Sequence, residues 1–281
     1  MMIKEILVHL DGSTDDESRI VQAEHLAVVH KSHLQGLFIN LLPDPPLSVS
    51  HYPVSRGLLA EHLLEAEARR GLVEHALELR FNRVAVPRDL ARFDCLAAQA
   101  GGVAATQARL ADLLVVRTPY RVAQPNRASD VVEAALFGSG RAVFVIPEAD
   151  PLHIRPLDTV VIAWKNSPQA ANAVMHALPF LRQADQVVIV TADPGGSAPA
   201  RTGKPGADVA RYLRHHDVNA EVRHLGKRDN VAAALFNEAE LLGAGLIVAG
   251  AYGHSRLREW ALGGVTRNIL TKTPVPALLA H

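Results

Sequence analysis

The chain of 281 residues exceeds the usual size of a single domain, so two domains of about 100–150 residues are expected. Its 48% hydrophobic and 21% charged content is that of an ordinary soluble globular protein with ample core. Its 29 basic residues balance 29 acidic ones, which excludes the basic face that duplex nucleic acid needs and argues against charge-driven membrane attachment.

No stretch approaches the roughly 18 apolar residues of a membrane span. The start, Met1 to Val8, reads as a short strand, not as a signal peptide. Cys95 is the sole cysteine, so no disulfide framework or thiolate metal cluster is expected. The expected location is the cytoplasm.

In chain order the pattern alternates strands with helices. The first half reads as strand Ile6–Leu10, helix Asp15–His30, strand Leu34–Ile39 and helix Leu58–Leu79. A short strand near Val84–Val86 and a helix around Asp94–Ala108 follow. Strand Asp112–Val116, helix Ser129–Phe137 and strand Ala142–Ile146 close the half.

The second half repeats the order: strand Thr159–Ala163, helix Pro168–Leu181, strand Gln186–Thr191 and helix Ala207–His215. Strand Glu221–Leu225, helix Val231–Leu242, strand Leu246–Ala249, helix Thr266–Thr271 and strand Val275–Ala280 complete it. Continuous Val/Ile/Leu/Ala runs predict parallel strands buried on both faces. The repeat is visible in the letters, with Ala111–Val116 matching Ala244–Ala249. Domains are therefore expected at 1–150 and 157–281, joined near Pro147–Pro156. The proline-rich loop Leu42–Arg56 has no counterpart and reads as a surface excursion or lid.

The chemistry concentrates after Leu246–Ala249. Gly250 and Gly253 follow that strand, then nine residues, then Gly263 and Gly264, with Val265 and Thr266 next. Glycines past a buried strand let backbone N–H groups close on a bulky group, and a following helix start favours an anion. The pattern describes a phosphate cradle, against the plainer reading of turn chemistry between strand and helix.

This glycine pattern, within a repeated βα half, resembles the universal stress protein family in its tandem two-domain form. The resemblance covers essentially the whole chain. It implies an α/β fold of two tandem open, mostly parallel five-stranded sheets with helices on both faces, adenine nucleotide alpha hydrolase-like and Rossmann-like. It implies that strands Val143–Ile146 and Val275–Ala280 associate across a pseudo-twofold. It also implies a stress-response regulator that binds ATP or a related adenine nucleotide.

Two positions depart from the family pattern. Gly264 stands where the family has Ser or Thr, which removes one side-chain donor near phosphate. The strand-end Asp, present as Asp11 in the first half, is replaced by Lys165 in the second. An ammonium cannot accept hydrogen bonds from a base or sugar, although it can meet a phosphate. In the first half the frame of the repeat puts Arg117 and Tyr120 at the places of Gly250 and Gly253, and Asp130 and Val131 at those of Gly263 and Gly264. That half is expected not to bind nucleotide in this manner.

The expected nucleotide-binding residues are Ala163, Trp164, Lys165, Thr191, Gly250, Gly253, His254, Arg256, Gly263, Gly264, Val265 and Thr266. The plainer readings are domain core for Trp164, a solvated loop lysine for Lys165, and surface charges on an exposed loop for His254 and Arg256. The 14 histidines show no zinc-helix pairing, so no metal site is expected. Ser13 and Ser167 lie outside any nucleophile-elbow sequence. Glu259, in the spacer, is the only carboxylate expected near the cradle, so a Mg²⁺ ligand is not assigned and hydrolysis is a secondary reading beside a pure interaction protein. Pairing of the two halves leaves either a monomer or a homodimer, with protein partners unspecified.

Overall fold

The computed structural model describes residues 2–42, 56–120, 127–149, 151–192, 206–226, 228–251 and 264–281. The first half runs β1 (Glu5–Leu10), α1 (Asp16–His30), β2 (His33–Leu41), α2 (Arg56–Phe81), β3 (Arg88–Cys95), α3 (Ala97–Ala108), β4 (Leu113–Arg117), α4 (Arg127–Gly138) and β5 (Ala142–Ile146). The second runs β6 (Thr159–Trp164), α5 (Pro168–Leu181), β7 (Gln186–Thr191), α6 (Ala207–Arg214), β8 (Ala220–His224), α7 (Val231–Leu241), β9 (Leu246–Gly250), α8 (Gly264–Lys272) and β10 (Ala277–Ala280).

The strands do not form two separate sheets. They make one ten-stranded sheet in the order β3-β2-β1-β4-β5-β10-β9-β6-β7-β8. Within each half neighbouring strands are parallel, and the halves join where β5 and β10 pair antiparallel, Phe144 opposite Leu278. The association expected of the last strands is thus present, and its consequence is a continuous sheet.

Apolar runs explain the interior strands. Every residue of β5, β9 and β10 is buried, as strands covered on both faces require. Odd and even positions serve different layers. Val160, Ile162, Leu246 and Val248 pack with α1, α2, α5 and α6. Val161, Ile247 and Ala249 pack with α3, α4, α7 and α8. At the junction Phe144 of β5 stacks on Phe180 of α5, ring centres 6.4 Å apart, and His30 of α1 meets the edge of Phe180.

The third strand departs from the sequence expectation. Val84–Val86 is not a strand: Val84 is buried in the core where α2 ends, and β3 lies at Arg88–Cys95. As the outermost strand β3 presents Arg88, Asp89, Arg92 and Asp94, which disguise it in a hydrophobicity pattern but suit an edge exposed to water. The helix expected from Asp94 accordingly starts at Ala97. Residues linking the halves are held on α1, where the Gln22 amide donates to the Pro151 and His153 carbonyls at 3.1 and 2.8 Å.

Candidate functional site

In the second half, strand order reverses direction between β6 and β9, whose chain neighbours lie on opposite sides. Helices leave the sheet on opposite faces at such a switch point and open a crevice at the carboxyl ends of the strands. A cavity of about 580 Å³ lies there, within the size range of small-molecule sites.

Its apolar surface comes from Ala163, Val190, Leu225, Val231 and Leu235, with Trp164 at the end of β6. Its polar groups are Lys165, Asp229, Asn230, Thr266 and Asn268. The helices around it are fixed by local chemistry. Ser167 caps α5, its hydroxyl accepting from the Ala170 N–H at 3.3 Å, with Pro168 in the first turn. Asn230 caps α7, its Oδ1 accepting from the Ala233 N–H at 3.0 Å.

The glycines separate into two kinds. A Cβ at Gly250 would stand 2.5 Å from the Ala170 nitrogen and 2.6 Å from the Gln169 carbonyl carbon. This glycine lines the cavity, yet its missing side chain is demanded by the first turn of α5. Beyond it Ala251 is pinned, its N–H donating to the Ala280 carbonyl and its own carbonyl bonded to His281 Nδ1 at 2.8 Å. Gly264 differs: a Cβ there meets nothing within 4 Å among the described residues. The helix also begins earlier than expected, so Gly264 lies in the first described turn of α8 rather than before it.

Of the expected site residues, Ala163, Trp164, Lys165, Gly250, Gly264, Val265 and Thr266 line the cavity. Thr191 does not; it is buried beside β8, its hydroxyl bonded to His224 Nδ1 at 3.0 Å, and Ala192 lines the cavity instead. Gly253, His254, Arg256 and Gly263 lie outside the described residues, as does Glu259. Thr266 is buried and its hydroxyl donates to the Gly250 carbonyl at 3.4 Å, a bond that ties α8 to the end of β9. Sequence reasoning missed Asp229 and Asn230. Their one signal was position, immediately before an apolar helical run where a capping residue is expected.

The corresponding crevice of the first half, between β1 and β4, holds a charge network. Arg19, 3% exposed, meets Asp11 at 2.6 Å and Asp16 at 2.7 Å, and its Nη1 meets His9 Nδ1 at 3.0 Å. Arg117 pairs with Asp15 and donates to the Glu148 carbonyl at 3.1 Å. Burial, and then the Arg19 cation, push His9 down to about 4. Burial would raise Asp11, but Arg19 and His9 outweigh it and hold that carboxyl well below the ordinary range. Burial pushes Asp16 up to about 6 against the pull of Arg19. Val131 is core, and the Tyr120 N–H reaches across to the Leu270 carbonyl of α8 at 3.4 Å.

Residues 156–281 match the model of the universal stress protein family. The second half is a universal stress protein domain. A universal stress protein from Archaeoglobus fulgidus DSM 4304 superposes with a TM-score of 0.68 at 14% identity, covering 98% of this chain and 97% of that one. A putative universal stress protein from Pseudomonas aeruginosa UCBPP-PA14 does so with a TM-score of 0.58 at 15% identity, covering 99% and 93%. At these identities the likeness establishes the fold of the whole chain, including the half outside the family match. No curated protein sequence matches the chain. Among the described residues no helix is long and apolar enough to cross a membrane, and no cluster of His, Cys, Asp and Glu could hold a metal ion.

Proposed function

We propose that the universal stress protein domain binds an adenine nucleotide of the ATP type and that the protein acts as a cytoplasmic stress-response regulator. The observation that carries this reading is the apolar cavity at the β6/β9 switch point, with Lys165 and the start of α8 at one end. The first turn of a helix leaves N–H groups without intrahelical partners, and these favour phosphate oxygens. Lys165, at the end of β6, adds a cation for which a phosphate is a better partner than a sugar hydroxyl. The apolar walls suit a purine.

In this reading the first half does not bind nucleotide, because Arg19, Arg117 and their carboxylate partners occupy the equivalent crevice. It serves as scaffold and protein-contact surface. A nucleotide-independent scaffold is the second reading, and Gly250 favours it: the first turn of α5 accounts for that glycine without any ligand.

Titration calorimetry with ATP, ADP and AMP on wild type and Gly264→Glu separates the two. The lack of any described atom within 4 Å of a Cβ at Gly264 and the tolerance of a helix N-terminus for acidic residues predict an unchanged fold. The added carboxylate is expected to weaken nucleotide binding by at least about tenfold. Equal affinity in both proteins, or binding by neither, defeats the nucleotide reading.

A further inference from the structure

Among the described residues, Lys165 and the first turn of α8 direct phosphate to the β6/β9 side of the cavity, and the first turn of α7, with Val231 and Ala232, also lines it. Lys165 follows β6, Gly250 ends β9, and the first turn of α8 follows from there. The other end lies past β8, where the loop into α7 brings Asp229 and Asn230 to the cavity wall. From β9 through β6 and β7 to β8 is three strand spacings, about 14 Å across the sheet at ~4.8 Å each. A nucleoside phosphate lying along the strand ends has comparable reach, with its base at the β8 side.

The walls at that end are Val190, Leu225, Val231 and Leu235, which suit the face of a flat ring. Among the described residues, Asp229 and Asn230 are the polar side chains of that loop that line the cavity and can read its edge. An ionised carboxylate only accepts hydrogen bonds. Asn230 already engages its Oδ1 with the Ala233 N–H at 3.0 Å, so its Nδ2 is the group that remains to donate. Acceptor beside donor complements adenine, whose exocyclic amine donates next to a ring nitrogen that accepts. The Hoogsteen edge of guanine offers two acceptors and would oppose the carboxylate, whereas its Watson–Crick edge carries N–H donors, so the feature assigned is contact with an exocyclic amine.

We propose that Asp229 is the base-reading residue of this cavity, accepting a hydrogen bond from the exocyclic amine of an adenine nucleotide. The proposal rests on the nucleotide reading above. It assigns recognition of the exocyclic amine to Asp229 in the β8–α7 loop, separately from the contacts that Lys165 and α8 make with phosphate.

The test compares ATP with purine riboside 5′-triphosphate, which lacks only the amine, by calorimetry on wild type and Asp229→Ala. Asp229 is exposed, so the variant is expected to fold, checked by an unchanged melting temperature. Wild type should prefer ATP by at least about tenfold, the discrimination expected of a charge-assisted hydrogen bond. The variant should bind both triphosphates alike, near the wild-type affinity for the amine-free one. Preference retained in Asp229→Ala overturns the assignment while leaving nucleotide binding intact. Absence of preference in wild type overturns it equally. Failure of wild type to bind either triphosphate removes the reading beneath it.

Discussion

Gly250→Ala places a methyl group where the backbone of α5 already lies. The added carbon would approach the Ala170 nitrogen to 2.5 Å, the Gln169 carbonyl carbon to 2.6 Å and the Ala170 Cα to 2.9 Å. None of these atoms can turn aside as a side chain can. The start of α5, capped by Ser167 and packed on β9, must move or β9 must give way. Overpacking of this kind costs about 1–3 kcal/mol. For a chain of this size that lowers the melting temperature by roughly 2–10 °C. Differential scanning calorimetry of the ligand-free protein measures it, with Gly264→Ala as the companion. Among the described residues a Cβ at Gly264 meets nothing within 4 Å, and removing a helical glycine is neutral or stabilising by up to about 1 kcal/mol. A Gly250→Ala protein as stable as wild type, or a Gly264→Ala protein destabilised more than it, would refute the division of these glycines into packing and open positions.

The first-half network yields two further expectations. Arg19→Met leaves the Asp11 and Asp16 carboxylates without the buried cation between them, a loss of about 3–5 kcal/mol measurable by urea unfolding at pH 7; a change below about 1 kcal/mol would show that the network is not structural. His9 is a base whose folded pKa, about 4, lies below its ordinary 6.5, so between these values the unfolded chain binds the extra proton and stability falls as pH drops. Through His9 alone the wild type should lose about 2 kcal/mol between pH 7 and pH 5, while Asp16, raised to about 6, works in the opposite sense in wild type and variant alike. The stability difference between wild type and His9→Asn should therefore shift by that amount in favour of the variant at pH 5, and a difference independent of pH would contradict a neutral buried imidazole.

The interior strands were legible because each is a run of apolar residues covered on both faces, as in Leu246–Ala249 and Ala142–Ile146. Outer strand β3 was not, because half of its residues are charged and its place in the sheet comes from backbone pairing with β2. Gly250 was singled out for a phosphate, but the demand on its missing side chain comes from α5, eighty residues away in sequence, and no local pattern reports such an approach. Asp229 escaped notice for a related reason. It belongs to no motif, and only the stacking order of four strands brings it to the same hollow as Lys165. In the first half Arg117 was foreseen as an obstruction, whereas Arg19 and its carboxylates came together only in the folded chain.

The antiparallel seam between β5 and β10 turns one half of the molecule upside down relative to the other. Strands of the two halves end on opposite rims of a shared floor, so the sealed notch and the open one face away from each other. Among the described residues, those that line the open notch all belong to the second half. Conversely, a protein docking over the sealed rim would leave the other entrance unobstructed, and both could be occupied at once.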